Sequence, residues 1–175
     1  RNKECKLFEI GLRDIKSEKS SLPGEPATLM LGMYGNGDFY DLKGVCEEMF
    51  ERLHIENVEY EAVNDDPTYH PGRCAAVKLN NKVIGVMGEV HPSVMRNFDM
   101  GARTYMGEFD FDSIFRATGM NVKYTPLTKF PAVTRDFSIV IDKMTPVASI
   151  EKVMKKAAGK LLSSIALSDV YTGSQ

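Results

Sequence analysis

The most regular pattern in the chain is a helical stripe of apolar residues between positions 42 and 53. Its members recur at steps of three and one residues: Leu42, Val45, Cys46, Met49, Phe50 and Leu53. Most positions between them are charged, so the pattern predicts an amphipathic helix with one buried face. Either Asp38 or Asp41 can cap the start of this helix, because a carboxylate accepts hydrogen bonds from its first free backbone N–H groups.

Shorter apolar segments around this helix predict a β-sheet. Strands are expected at 5–15, 27–34, 58–63, 75–79, 83–87 and 104–111. Asn80 and Asn81 separate two of these strands and both tolerate positive φ, which predicts a two-residue hairpin. A short helix is expected at 91–98. The first 120 residues are therefore predicted to form an α+β domain with a mostly antiparallel sheet, one face of which the long helix covers.

A β-α-β pattern follows a predicted linker at 121–126. The segments 137–141 and 165–171 are typical of strands, and Thr145-Pro146 predicts the start of the helix between them. The stripe expected to be buried on this helix is Ile150, Val153, Met154, Ala157, Ala158 and Leu161. This order is the first half of a split ferredoxin-like β-α-β-β-α-β unit, so residues 127–175 are expected to form a truncated domain.

The 175 residues, 43% of them apolar, suffice for one large core or two small ones. The chain begins at Arg1 and stops directly after a predicted strand, so it is expected to be a fragment of a longer polypeptide. No apolar run approaches the roughly 20 residues that cross a bilayer, and no leader-like segment precedes the first strand. These features predict a cytoplasmic protein without a membrane partner. Cys5, Cys46 and Cys74 are expected to be buried, reduced thiols.

Charge is divided unevenly between the two predicted domains. Residues 1–120 carry 14 Lys and Arg against 20 Asp and Glu, whereas residues 121–175 carry 8 against 4. The net charge of the whole chain, −2, hides this division. The uneven division of charge predicts that the C-terminal part binds a polyanion, while the N-terminal part contacts protein or water.

Candidate catalytic and metal-binding patterns are weak. The glycines within 32–37 match neither a phosphate loop nor a dinucleotide-binding spacing, and a strand-to-helix turn accounts for them. His70, Cys74 and His91 lack the spacing of a zinc site, and the sequence identifies no orienting partner for thiol catalysis at Cys74. No catalytic residue and no metal ligand is predicted.

Four residues near the predicted hairpin are assigned structural roles: His70, Arg73, Glu89 and His91. His70 and His91 each precede a proline and are predicted to begin turns in which the ring bonds the backbone. Arg73 and Glu89 lie about equally far from the hairpin turn, which allows an ion pair between them. The alternative is two exposed charges, for which a surface pair contributes only about 0–1 kcal/mol.

Lys129, Arg135 and Tyr171 are the candidate RNA-binding residues. The two cations suit phosphates, and a tyrosine ring can stack on an unpaired base. Further positive charge comes from the second predicted helix, through Lys152, Lys155, Lys156 and Lys160. Two alternatives stay open, because such lysines are equally typical of a solvated helix face and Tyr171 of packing within a sheet.

Four short segments resemble the beta subunit of bacterial phenylalanyl-tRNA synthetase, and they occur in the same order. HPGR at 70–73 and GEVHP at 88–92 resemble its class II synthetase-like domain. KFPAVTRD at 129–136 and SDVYTG at 168–173 resemble its ferredoxin-fold anticodon-binding domain. The resemblance implies a non-catalytic scaffold that pairs with a catalytic alpha subunit in an α2β2 assembly.

The resemblance also implies that catalysis lies in another chain. Leu7 falls where a working class II enzyme has an arginine, Phe109 at the second glycine of Gly-x-Gly, and Ser113 where a further arginine stands. A site without these arginines cannot neutralise a triphosphate. The implied function is to bind tRNA(Phe) and support ATP-dependent attachment of phenylalanine. ATP and Mg²⁺ would belong to the parent complex, with no cofactor in this chain.

Two other functions stay open. In the first, the acidic domain is a protein-protein interaction module of α+β fold without RNA binding, and an exposed apolar patch on residues 1–120 would favour it. The second is an independent enzyme, for which the sequence offers no catalytic constellation.

Overall fold

A computed structural model describes residues 2–16, 21–119, 124, 126–127 and 129–173. The chain forms two compact units, unit 1 at 1–125 and unit 2 at 126–175. The elements in chain order are β1 (Cys5–Leu12), β2 (Ala27–Tyr34), α1 (Phe39–Arg52), β3 (Val58–Ala62), β4 (Tyr69–Leu79), β5 (Lys82–Val90), α2 (Pro92–Asn97), β6 (Thr104–Asp110), α3 (Phe111–Ala117) and α4 (Val147–Ala158). Among the helices of these residues, none is long and apolar enough to span a membrane.

The strands of unit 1 form one antiparallel sheet in the order β1-β2-β6-β5-β4-β3. The predicted α+β class with an antiparallel sheet is confirmed. The last strand in sequence, β6, lies in the middle of the sheet between β2 and β5, while β1 lies at one edge.

The core lies between α1 and one face of this sheet. Leu42, Cys46 and Phe50 of the predicted helical stripe are at most 2% exposed. The Phe50 ring meets the ring of Phe109 in β6 edge to face, with centroids 6.1 Å apart. Val45 of the same stripe is 44% exposed, so the apolar face of α1 is wider than the part that the sheet covers.

A capping box begins α1. The side chain of Asp38 accepts hydrogen bonds from the backbone N–H groups of Tyr40 and Asp41, and the carboxylate of Asp41 accepts one from the Asp38 N–H at 2.7 Å. Both predicted candidates therefore act, Asp38 as the cap and Asp41 as its reciprocal partner. Gly35 and Gly37, both at positive φ, form the turn that precedes the cap.

The predicted hairpin joins β4 to β5. Asn80 and Asn81 have φ values of 48° and 69°, as a two-residue turn of this kind requires. Both strands are longer than predicted, so the segments 70–73 and 88–90 lie within them.

His70-Pro71 is not a turn, and that prediction is wrong. Both residues lie in β4, where the register with β5 shifts between Tyr69 and Cys74. A proline fits at such an irregularity because its missing N–H leaves no ladder bond unmade.

In unit 2, α4 confirms the predicted helix, although Pro146 rather than Thr145 is its N-cap residue. The segments 137–141 and 165–171 are not hydrogen-bonded strands, contrary to prediction. In a split β-α-β unit the two strands are separated by a third. The described residues of unit 2 contain no strand that fills this place.

The stripe of α4 that was expected to be buried lies mostly in solvent. Ile150 and Met154 are half-buried, whereas Val153 is 68% and Leu161 96% exposed. The unpaired segments 137–141 and 165–171 explain this exposure too, because a helix buries its apolar face only where a sheet or a second helix covers it.

Candidate nucleic-acid interface and catalytic-like sheet

Glu89 is a buried carboxylate that two side chains hold. Arg73 Nη1 lies 2.8 Å from Glu89 Oε2, so the ion pair is present in the structure. The hydroxyl of Tyr105 donates to the same oxygen at 3.3 Å. Burial raises the pKa of Tyr105, and the charge of Glu89 raises it further, which keeps the phenol protonated as a donor. These contacts satisfy the carboxylate, as expected of a structural group.

Tyr105 was not identified from the sequence. It lies directly opposite Glu89 because β5 pairs with β6 in one particular register. The pairing joins residues 16 positions apart, and no local pattern reports it.

The two histidines bond the backbone, each in its own way. His91 is the N-cap of α2, and its Nδ1 accepts the Ser93 N–H at 3.2 Å. The backbone N–H of His91 donates to the Thr68 carbonyl at 2.8 Å. His70 Nδ1 lies 2.6 Å from the Pro71 carbonyl oxygen, within β4. In the described part of the chain, no group of three or more His, Cys, Asp or Glu side chains is placed to hold a metal ion.

Cys74 is not arranged for nucleophilic catalysis. It is 5% exposed, and burial together with the charges of Asp66 and Asp65 raises the pKa of its thiol to about 11. A thiol nucleophile needs the opposite shift, because the thiolate is the reactive form.

A row of small and apolar residues crosses the sheet face opposite α1. Strand register places Leu7 beside Gly32, Gly32 beside Met106, Met106 beside Gly88, and Gly88 beside Cys74. Residues directly paired in this way point to the same face. The row therefore offers no charge to a phosphate at the level of Leu7, the position where the resemblance leads us to expect an arginine in a working enzyme.

The other two positions that the resemblance compares with the catalytic pattern make structural contacts. Phe109 is fully buried in the core. Ser113 donates its hydroxyl to Asp110 at 2.6 Å and its N–H to the same carboxylate at 3.1 Å, which caps α3. The hydrogen bonds from Ser113 lower the pKa of Asp110. The residues at these three places do not fit ATP.

The basic residues of unit 2 are on its surface. Lys152, Lys155, Lys156 and Lys160 are all exposed. Lys155 lies 3.5 Å from Glu151, which is the one acidic residue in the sequence of α4. Positive charge therefore dominates this helix.

The three candidate RNA-binding residues lie in irregular segments on both sides of α4. Lys129 and Arg135 precede the helix and Tyr171 follows it. All three are exposed, Tyr171 at 72%. Arg135 Nη1 donates to the neighbouring carbonyl of Thr134 at 3.0 Å. Their joint contact with RNA stays a prediction.

Two family profiles match the chain. The profile "Phenylalanyl tRNA synthetase beta chain CLM domain" matches residues 1–111, and "Ferredoxin-fold anticodon binding domain" matches residues 128–175. The second match assigns unit 2 to the ferredoxin-fold domain on sequence.

Curated relatives are named phenylalanine–tRNA ligase beta subunit. The chain is 43% identical over 175 residues to the subunit of Clostridium acetobutylicum, 39% over 175 residues to that of Clostridium tetani and 36% over 180 residues to that of Bacillus subtilis. These alignments cover 99%, 99% and 95% of this chain, but 22% of each relative. The chain thus spans about a fifth of the length of these relatives.

Solved structures share the fold of about two thirds of this chain. Two of them are pyrrolysyl-tRNA synthetases from Desulfitobacterium hafniense, with TM-scores of 0.54 and 0.52 at 14% and 13% identity. They cover 66% and 68% of this chain, which covers 42% and 46% of theirs. The likeness shows the synthetase fold alone. The family is shown by the profile match over residues 1–111, more than half of the chain, which therefore belongs to the phenylalanyl-tRNA synthetase beta chain family.

Proposed function

We propose that the chain is a non-catalytic scaffold and tRNA-binding portion of a phenylalanine–tRNA ligase beta subunit. It supports the ATP-dependent attachment of phenylalanine to tRNA(Phe), and its partners are a catalytic alpha subunit, in an α2β2 assembly, and the tRNA. Residues 1–120 are the synthetase-like domain, 121–126 the linker and 127–175 the anticodon-binding part. The complex works in the cytoplasm, and its ATP and Mg²⁺ are bound by the alpha subunit.

The contrast between the uncharged row from Leu7 to Cys74 and the basic C-terminal unit carries this proposal. The row from Leu7 to Cys74 cannot balance the charge of a triphosphate. Unit 2, by contrast, exposes the three lysines of α4 and Lys160 just after it, together with Lys129 and Arg135. Cations of this density attract the phosphates of RNA and release their counterions.

The three proposed contacts differ in what they recognise. Lys129 and Arg135 bind phosphates of the anticodon region, and the exposed ring of Tyr171 stacks on an unpaired base. The tyrosine contact is the one that favours single-stranded RNA over a duplex, because bases inside a helix are already stacked.

A binding assay with the complete alpha–beta complex tests this assignment. We expect the variant K129A/R135A/Y171A to bind tRNA(Phe) at least about tenfold more weakly, because stacking alone contributes about 1–3 kcal/mol per base. The logarithmic salt slope should become shallower by about 1.5, since two phosphate contacts are removed.

A matched variant controls for general effects of charge and ring removal. K3A/R116A/Y40A removes the same residue types from exposed positions of unit 1, and Tyr40 is 75% exposed against 72% for Tyr171. It should leave tRNA affinity unchanged. If both triple variants bind tRNA(Phe) as tightly as the original complex, the proposed RNA contacts are wrong.

The alternative of a protein-protein module is favoured by a separate observation. Unit 1 exposes contiguous apolar side chains along β1, among them Phe8 at 74% and Ile10 at 50%. A complex that loses its subunit association but keeps its tRNA affinity after changes in this patch would support protein docking as a role of unit 1.

A further inference from the structure

The turn between β2 and α1 carries the only Asn-Gly pair in the sequence, Asn36-Gly37. Both residues are exposed, so water and hydroxide reach them. Every other asparagine precedes a residue with a side chain, which hinders approach to the backbone nitrogen that follows the asparagine. Glycine has no such side chain, so the nitrogen of Gly37 is the least hindered of these.

The turn places this nitrogen beside the side-chain amide of Asn36. The backbone N–H of Gly37 donates to Asn36 Oδ1 at 2.9 Å. The amide carbon Cγ is bonded to that oxygen at about 1.2 Å, so the Gly37 nitrogen lies at most about 4.1 Å from Cγ. Two atoms held this close need little further motion to react with one another.

The fold itself requires glycine at position 37. Its φ is +102°, a conformation that residues with a side chain rarely adopt. A Cβ here would also lie 2.7 Å from Met33 Cε and 3.2 Å from Asp41 Oδ2. The residue that fits the turn is therefore also the one that leaves the Asn36 amide open to attack.

We propose that Asn36 is a site of spontaneous covalent modification. The Gly37 nitrogen loses its proton to hydroxide and attacks Asn36 Cγ. The N–Cγ bond forms, the bond from Cγ to the side-chain nitrogen breaks, and ammonia leaves, which produces a succinimide. Water then opens one of the two carbonyls of this ring. Opening at Cγ leaves aspartate, whereas opening at the main-chain carbonyl leaves isoaspartate, whose backbone runs through the side chain.

The isoaspartate product lengthens the backbone by one methylene group where the chain is held on both sides. Before the pair, the Gly35 N–H donates to the Arg103 carbonyl at 3.0 Å. After it, the Asp38 side chain accepts the Asp41 N–H at 3.0 Å and caps α1. The extra methylene group displaces one of these two contacts, so the start of α1 loses part of its support.

Peptide mapping of the aged 175-residue chain tests the site. At about pH 8, we expect Asn36 to convert at least about tenfold faster than Asn80, which is exposed and at positive φ but is followed by Asn81. Conversion should be slower at about pH 6, because fewer Gly37 nitrogens lose their proton. The same chain in urea supplies the rate for the unfolded state.

Two variants separate the reaction from its products. Asn36→Gln keeps an amide at this position, but attack by the Gly37 nitrogen must then close a larger ring, and we expect the amide to survive the same incubation. Asn36→Asp supplies the negative charge of both products without the longer backbone.

Unfolding of the separated products tests the effect on α1. The isoaspartate form, isolated by chromatography and identified by enzymatic methylation, should melt several degrees below the fresh chain. Freshly prepared Asn36→Asp should melt within about two degrees of the fresh chain.

The site would be overturned by equal rates at Asn36 and Asn80, by conversion of Asn36 only in urea, or by an aged Asn36→Gln chain that gains acid at this position as fast as the original. An isoaspartate form that melts together with the fresh chain would overturn the effect on α1.

Discussion

Arg73 reaches from the surface to pair with a carboxylate that is almost inaccessible. Its side chain is 45% exposed, whereas that of Glu89 is 6% exposed, and the two are joined at 2.8 Å. The pair therefore differs from the exposed ion pairs of α1, such as that of Arg52 with Glu48 at 2.6 Å.

Removal of the arginine should destabilise unit 1. Arg73→Ala leaves Glu89 buried with its charge unbalanced, which costs about 1–3 kcal/mol. The melting temperature should fall by several degrees, as measured by calorimetry. Glu89→Gln in the same background should recover part of the loss, because it removes the unbalanced charge. Arg52→Ala is the control, and an equal effect at both arginines would show that burial of Glu89 does not matter.

Stability near pH 4 should report the cap of α3. Ser113 lowers the pKa of Asp110 below its ordinary value of 3.8, so the folded state favours the carboxylate. The stabilisation is present above that ordinary value and is lost as pH falls through the lower pKa of the folded state. Asp110→Ala should cost about 1 kcal/mol at pH 7. In denaturant unfolding, the difference should shrink as pH falls below 3.8.

Asp112→Ala controls for the negative charge at the start of α3. Asp112 lies in the first turn of the same helix and is exposed, so its loss affects mainly the interaction with the helix dipole. A pH-independent difference between Asp110→Ala and the original chain would contradict the account of the cap.

Two glycines of the sheet should differ in how strongly replacement by alanine changes stability. A Cβ at Gly85 would lie 2.4 Å from the Phe109 ring and 2.5 Å from the Glu108 carbonyl oxygen, whereas one at Gly32 meets nothing within 4 Å. Gly85→Ala should therefore destabilise unit 1 by about 1–3 kcal/mol. Gly32→Ala should be neutral or slightly stabilising, because alanine restricts the unfolded chain. Similar unfolding midpoints for the two variants would contradict the packing around Phe109.

Hydrogen exchange should distinguish the two units of the chain. Amides of 137–141 have no strand partner in the structure and should exchange at nearly the rate of an open chain. Amides of β2, which pairs on both sides with β1 and β6, should exchange at least about a hundredfold more slowly. Protection of 137–141 in the same sample would show that a strand forms there.

Elements with a strong local signal were predicted well from the sequence. The stripe of α1, the apolar segment of β2 and the Asn80-Asn81 turn are each specified by residues close together in the chain. The ends of β4 and β5 were not, because their extension depends on pairing with one another. Helix α3 was missed because its apolar residues continue directly from β6, with Asp110 as the only boundary.

The candidate site divides in the same way. The ion pair of Arg73 with Glu89 was one of two alternatives that their equal distance to a hairpin turn left open, and the structure contains it. The contact of Tyr105 with Glu89 was not predicted, because it depends on the register of β6 against β5, which no local sequence pattern specifies. In unit 2, the β-branched residues at 137–141 favour a strand, but a strand forms only where another segment accepts its hydrogen bonds.

The position of β6 sets the order in which unit 1 can be assembled on the ribosome. The β1–β2 hairpin and the β3–β4–β5 sheet are each continuous in sequence, but only β6 bonds to both. Until Asp110 has left the exit tunnel, the nascent chain holds two half-sheets whose inner edges are both open. Completion depends on contacts between distant residues, which makes this step slow and the waiting intermediate prone to aggregation. Synthesis of this region is therefore the interval in which a chaperone would matter most.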